Sequence, residues 1–180
     1  MMLTSFQTYL LDCLKTLGCL RTDQAEWLMG LRFGSTEKQV ESDLRRLQYM
    51  GLLCRRERLI LLPGTERDGQ MLAAVDMMRL LCGGALPEFC AGSPPAKLSF
   101  YLEGEGGYLD FKVIPVPPGQ ERKVLLHLEP QLSRFICTCI FAIQSEDQIP
   151  PLSTVPRAYF ALPDRQGGYR FLKAERGAKA

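Results

Sequence analysis

The sequence has little of what metalloenzymes, secreted scaffolds and membrane proteins depend on. It holds one histidine in 180 residues and no C-x-x-C pair, so the common four-ligand zinc sites lack ligands. Its longest apolar run, around Ile136 to Ile143, is less than half of the ~20 residues that a membrane helix needs. The opening Met-Met-Leu-Thr-Ser-Phe-Gln has neither a basic region nor a purely apolar stretch. No signal peptide is expected, and a cytoplasmic location is. The seven cysteines, Cys13, Cys19, Cys54, Cys82, Cys90, Cys137 and Cys139, are odd in number and scattered, unlike the even sets of short disulfide scaffolds. Most lie in apolar patterns, where a thiol behaves as a small hydrophobe. Cys137 and Cys139 read as two core residues on a buried strand. Gly104-Glu105-Gly106-Gly107 lacks the following helix that a phosphate-cradling loop requires, and no Ser or Cys nucleophile stands in a recognisable frame near His127. No cofactor is expected.

A hydrophobic fraction of 46% and a charged fraction of 23% are ordinary for a globular chain. The net charge is +2, and residues 1–67 carry ten Lys/Arg against eight Asp/Glu, so the excess lies there. It sits mostly in Arg45, Arg46, Arg55, Arg56 and Arg58, a local basic patch on a neutral background.

Leu3, Phe6, Leu10, Leu14 and Leu17 recur at three- and four-residue spacing, the mark of an amphipathic helix, with Gly18 to stop it. Thr22 is placed to cap a second helix, about Asp23 to Arg32, burying Ala25, Leu28 and Met29 with Trp27 at its edge. After Phe33-Gly34, Thr36 and Gln39 have capping-box spacing. A third helix then runs to about Met50 with Val40, Leu44 and Leu47 inward, and Gly51 ends it. Leu52-Leu53-Cys54-Arg55 and Arg58-Leu59-Ile60-Leu61-Leu62 read as a hairpin turning at Arg56-Glu57, closed by Pro63-Gly64.

Three short helices followed by a tight hairpin, with the L-R-R-L-Q-Y-M-G-L-L-C-R-R pattern, resemble the winged helix-turn-helix family over about a third of the chain. The resemblance implies a third helix in the DNA major groove. Lys38, Ser42, Arg45, Arg46, Gln48 and Tyr49 would face the duplex, and Arg55, Arg56 and Arg58 on the hairpin would reach phosphates or the minor groove. Glu37, Glu41 and Asp43 on the same helix oppose phosphate contact. An Arg-rich hairpin is also how an edge strand is guarded against aggregation, so a protein-binding module without DNA is the alternative.

Asp68 to Cys82 reads as a helix apolar on most sides: Met71, Leu72, Val75, Met78, Leu81 and Cys82, with Asp76 and Arg79 as its polar edge. Such a helix is buried in its own chain or against another, and a homodimer through 68–82 is one expectation. Gly83-Gly84, Pro87 and Gly92-Ser93-Pro94-Pro95 read as a linker. From Lys97 the pattern alternates. Leu98 to Leu102 and Leu109 to Val113 predict a hairpin turning at Gly104 to Gly107. Val124 to Glu129 predicts a third strand, and Phe135 to Ile143 a strand covered on both faces. Arg157 to Leu162 and Tyr169 to Lys173 predict two more, with a short helix near Ser145 to Leu152 and a frayed end over Glu175 to Ala180.

The expected class is α+β: a winged helix over 1–67, an apolar connector helix and linker over 68–96, and a mixed β-sheet domain over 97–180. Glu103 and Glu105 followed by Asp110-Phe111-Lys112 resemble restriction-like nucleases, in which two carboxylates hold a metal and a lysine supports the attacking water. Asp110 and Lys112 are expected on the solvent face of their hairpin. His127 and Glu129 would share a strand face, a polar contact. Joined to a winged helix, this half has a faint resemblance to the replication-relaxation family of plasmids and mobile elements. Taken together, the leading expectation is a non-enzymatic DNA-binding protein, a transcription regulator or plasmid accessory factor. A degenerate or active nuclease is the further alternative.

Overall fold

Helix α1 (Ser5–Leu17) starts at Thr4, whose hydroxyl accepts the Gln7 N–H while the Gln7 side chain accepts the Thr4 N–H. Leu10, Leu14 and Leu17 fall on its buried side, as their spacing requires. Gly18 ends it, and a strand that the sequence pattern did not show, β1 (Cys19–Arg21), follows at once. Helix α2 (Thr22–Phe33) is therefore capped from Arg21 rather than Thr22. The Thr22 hydroxyl and N–H both turn to the Arg58 carbonyl. Gly34 closes α2 at φ 65°, ψ 26°, a left-handed conformation that glycine adopts without Cβ strain.

Helix α3 (Glu37–Tyr49) begins at the expected Thr36–Gln39 capping box and buries Val40, Leu44 and Leu47. Gly51, at φ 71°, turns the chain into strands β2 (Cys54–Arg56) and β3 (Leu59–Leu61). Both β1 and β2 pair antiparallel with β3, giving a three-stranded sheet in the order β1-β3-β2. Helix α4 (Gly69–Cys82) is capped by Asp68, whose carboxylate accepts the Met71 N–H at 3.0 Å. It packs on α2 and β1. Met71, Leu72, Val75, Met78 and Cys82 are all buried within the chain, while Leu81 is half-buried and Leu80 exposed.

The structure, a computed structural model, describes residues 2–104, 107–132 and 137–173. The chain is α+β and divides into two compact units, Met1–Pro87 and Glu88–Ala180. Glu105 of the expected acidic pair, the tip of the Gly104–Gly107 turn, the start of the 135–143 run and the end over 175–180 lie outside the described residues.

The second unit carries a six-stranded mixed sheet in chain order, β4 to β9. Its first strand, β4 (Glu88–Ala91), lies where a linker was expected and pairs antiparallel with β5 (Leu98–Gly104). Strand β5 in turn pairs with β6 (Gly107–Pro115) as the expected hairpin. The segment 124–129, expected as a strand, belongs instead to helix α5 (Glu121–Leu132). Strand β7 (Thr138–Ala142) runs parallel to β6, and parallel neighbours need a crossover, usually helical. Val124 and Leu128, one helical turn apart, are its buried residues. A short 3-10 turn (Glu146–Gln148) and helix α6 (Ile149–Leu152) cross to β8 (Ala158–Pro163), again parallel, and β9 (Tyr169–Lys173) closes the sheet antiparallel. One core joins α5 and α6 to the sheet through Ile114, Leu128, Cys139, Phe141, Leu152 and Phe160. No described helix is long and apolar enough to cross a membrane.

Candidate nucleic-acid interface

Burying Val40, Leu44 and Leu47 dictates what α3 shows to solvent. At about 100° per residue, Lys38, Ser42, Arg45 and Tyr49 fall within roughly 60° of one another, directly opposite the buried stripe. All four are exposed, as are Arg46 and Gln48 on the flanks, and Tyr49 is 94% exposed. The stripe thus offers two cations, a hydroxyl and a phenol ring, flanked by a further cation and an amide.

The hairpin holds two kinds of arginine. Arg56 and Arg58 are exposed on either side of the turn, which Glu57 makes at φ 56°. No ion pair holds Arg46, Arg56 or Arg58 among the described residues. Arg55 differs. Its two terminal nitrogens donate to the two carboxylate oxygens of Glu41 at 3.0 and 2.9 Å, and its side chain is only 19% exposed. Arg45 Nε donates to the same carboxylate at 2.7 Å. The Arg55 guanidinium chiefly, with Arg45 assisting against a modest effect of burial, holds the Glu41 carboxyl below its ordinary range. The nine candidate contacts are thus gathered on α3 and the adjoining hairpin, with Arg55 tied inward.

The acidic residues of α3 are largely engaged as well. Asp43 accepts from Gln7 Nε2 at 2.6 Å, which binds α3 to α1, and only Glu37 stands exposed without a side-chain bond among the described residues. Behind this face, β1, α2 and α4 are clasped by Arg21. It donates twice to Asp76, at 2.9 and 2.5 Å, and twice to Asp23, at 3.0 and 3.2 Å. Gln24, fully buried, accepts from the Arg21 N–H and donates to the Leu72 carbonyl and to Asp76.

In the second unit Asp110 and Lys112 are half-buried rather than on a solvent face. Lys112 stands opposite Ser99 on β5 and Cys139 on β7, on the side of the sheet covered by α5, and donates to Gln131 of that helix at 3.4 Å. Asp110 faces Tyr101 across the β5–β6 ladder. Its Oδ1 is buried and has no hydrogen-bond partner among the described residues. Burial pushes this carboxyl up, against the opposing charge of Lys112. The buried Cys137 and Cys139 thiols lie 4.0 Å apart. Hydrogen bonding from Cys139 draws Cys137 down, and the same bond with burial pushes Cys139 up. None of the seven cysteines is in a disulfide, and no group of three or more His, Cys, Asp or Glu is placed to hold a metal among the described residues. His127 is on a helix, not a strand. It is exposed with Nδ1 2.7 Å from the Lys123 carbonyl, and Glu129, two residues on, points elsewhere because a helix turns about 200° over that step.

No family model matches the chain, and no curated protein matches it. Among solved structures, the restriction endonuclease FokI bound to DNA aligns over 88% of this chain and 42% of its own, at 13% identity and a TM-score of 0.34. FokI without that qualification aligns over the same shares at 13% identity and a TM-score of 0.35. The chain therefore spans less than half the length of these structures, and a likeness at that TM-score carries no functional argument.

Proposed function

We propose that the first unit is a winged helix-turn-helix that binds duplex DNA, in a non-enzymatic transcription regulator or a plasmid or mobile-element accessory factor. The observation that carries this is the exposed stripe of α3, Lys38, Ser42, Arg45 and Tyr49, opposite a fully buried one and beside Arg56 and Arg58, which no ion pair holds among the described residues. A rigid helix with that face fits a major groove. Ser, Gln and Arg there address base edges, while the hairpin arginines address phosphates. Arg55 is left out of the contact set because Glu41 already occupies its guanidinium. The test is fluorescence anisotropy with labelled duplexes across a salt series. Affinity is expected to fall log-linearly with salt, by about 0.9 log units per log unit of salt for each phosphate contacted. Absence of salt-dependent binding to any duplex overturns the reading and favours a protein-binding module.

One observation favours a second reading for the second unit, a restriction-like nuclease in active or degenerate form. Asp110 keeps a buried, unpartnered carboxylate oxygen, and Lys112, two residues along the same strand, shares its face. Divalent-metal-dependent cleavage of plasmid DNA that disappears in Asp110→Ala supports an active site there, and its absence in the wild type excludes one.

A further inference from the structure

Arginine at a DNA-facing hairpin normally adds sequence-independent attraction to phosphate. Arg55 is positioned for that by its place in the chain, within β2 and next to the exposed Arg56, yet its charge is turned to Glu41. The bond is bidentate, with both carboxylate oxygens and both terminal nitrogens engaged at 2.9–3.0 Å. Planar fork-to-fork pairs of this kind are the strongest and most directional that arginine makes. The same carboxylate also draws Arg45 Nε to 2.7 Å. Glu41 lies on α3 and Arg55 on β2, so the pair spans the recognition helix and the hairpin, the two elements of the proposed interface.

We infer that Glu41 is a positioning residue that holds Arg55, and in part Arg45, back from the phosphate backbone, thereby limiting how tightly the protein binds DNA regardless of sequence. This rests on the DNA reading above. Removing the carboxylate releases one committed guanidinium and loosens a second, so the site gains phosphate contacts instead of losing them. A merely structural role predicts the opposite, because a wing that drifts from α3 gives up contacts.

The experiment measures the salt dependence of binding to a non-specific duplex for the wild type, Glu41→Gln and the double variant Glu41→Gln/Arg55→Ala. Glu41→Gln is expected to bind more tightly at low salt with a slope steeper by about 0.9 to 1.8. Each added contact makes the affinity lost between about 50 and 200 mM salt greater by roughly 3.5-fold. The double variant is expected to give back about 0.9 of that slope, the part due to Arg55. A Glu41→Gln slope equal to or shallower than that of the wild type overturns the inference and leaves the DNA reading standing. Failure of the wild type and both variants to bind in a salt-dependent way overturns both. Should Glu41→Gln not fold, the arginine side-chain NMR signals of the wild type decide the matter. Arg55 is expected to keep its restrained, paired signature when DNA is added, and its release from Glu41 on binding refutes the restraint.

Discussion

Gln24 and Gln39 occupy the same position, the third residue of a helix, and each accepts the N–H of the residue that caps it. They differ in what the amide nitrogen does. Gln39 is exposed, while Gln24 is fully buried and its Nε2 donates to the Leu72 carbonyl and to Asp76 Oδ1, both at 2.8 Å. Substituting leucine at either site keeps side-chain bulk and helix propensity, so the comparison isolates the hydrogen bonds. A neutral hydrogen bond contributes about 1 kcal/mol net and one to a carboxylate about 1.5–3 kcal/mol. Gln24→Leu should therefore cost about 3 kcal/mol, and Gln39→Leu less than about 1 kcal/mol because water replaces its exposed bond. Trp27, the only tryptophan, lies one turn along α2 from Gln24, so its fluorescence reports unfolding of the first unit. With a urea dependence of about 1.5 kcal/mol per molar, the Gln24→Leu midpoint should fall by about 2 M. Equal midpoints for the two variants, or a loss below about 1 kcal/mol at Gln24, would refute the view that this amide joins α2 to α4.

Three further outcomes follow from the same structure. Arg56→Ala should make the salt dependence of duplex binding shallower by about 0.9 without unfolding the hairpin, and an unchanged slope removes Arg56 from the phosphate contacts. Asp23 is pushed up by burial, but hydrogen bonds from Arg21 and the charges of Arg21 and Arg79 outweigh this and leave it below its ordinary 3.8, while Glu41 sits below its ordinary 4.5. Folded values that are depressed mean stability present above the ordinary values and lost as pH falls through the lower ones, so the Trp27 urea midpoint should hold from about pH 7 to 5 and drop below about pH 4. A midpoint that rises on acidification contradicts this. Asp110 has the opposite sign, since burial raises it above its ordinary 3.8. Its charged form strains the fold increasingly as pH climbs through the raised value, and Asp110→Asn should stabilise the second unit at pH 7 by of order 1 kcal/mol, with the gain vanishing in acid. Circular dichroism in urea at the two pH values checks it.

What was legible in the sequence was what local spacing determines. Val40, Leu44 and Leu47, the Thr36–Gln39 box and Gly51 define α3 without help from the rest of the chain, and the structure has them as expected. The hairpin β5–β6 was legible from an alternation of apolar and polar residues, and β8 and β9 as short strand-like runs split by Pro163-Asp164 and Gly167-Gly168. Strand β1 was not. It is three residues long and exists because β3, some forty residues later, supplies its partner, a contact with no local signature. Helix α5 was misread because Val124 to Glu129 fits two periods, and the parallel pairing of β6 with β7 decides between them. Leu126, 68% exposed, shows the strand reading failing at one residue. Asp110 and Lys112 were expected in solvent for a related reason, since α5, which covers their side of the sheet, had been counted as a strand. The buried glutamines had a signal that went unused. Thr4-x-x-Gln7 and Ser145-x-x-Gln148 carry capping-box spacing, and in both the amide nitrogen then reaches another element, Asp43 in one case and the Val116 carbonyl and Glu121 in the other.

Charge counting along α3 and the hairpin gives six cations, Lys38, Arg45, Arg46, Arg55, Arg56 and Arg58, against four anions, Glu37, Glu41, Asp43 and Glu57. Counted that way, the face is only weakly basic, and the acidic residues argue against phosphate. Geometry changes the weighting. Asp43 is bonded to Gln7 on the α1 side, and Glu41 and Arg55 cancel at contact distance. A pair that is locked together contributes a short-range dipole, and a potential a Debye length of about 8–10 Å away is set by the charges that remain unpaired. Among the described residues those are mainly Lys38, Arg46, Arg56 and Arg58, with Arg45 only half engaged, against Glu37, Glu57 and Asp43, whose bond to the neutral Gln7 amide leaves its charge in place on the α1 side. Glu57 lies at the hairpin tip with its backbone at φ 56°, and its carboxylate is the nearest anion in sequence to both exposed hairpin arginines. Of the acidic residues that dilute this face, Glu37 and Glu57 are therefore the two whose removal should raise phosphate affinity without disturbing a side-chain hydrogen bond among the described residues, and Glu57 stands nearer the hairpin arginines in sequence. Glu41 differs from it by being part of the frame, so the two glutamates, equal in a charge count, play unequal parts in how the interface meets a polyanion.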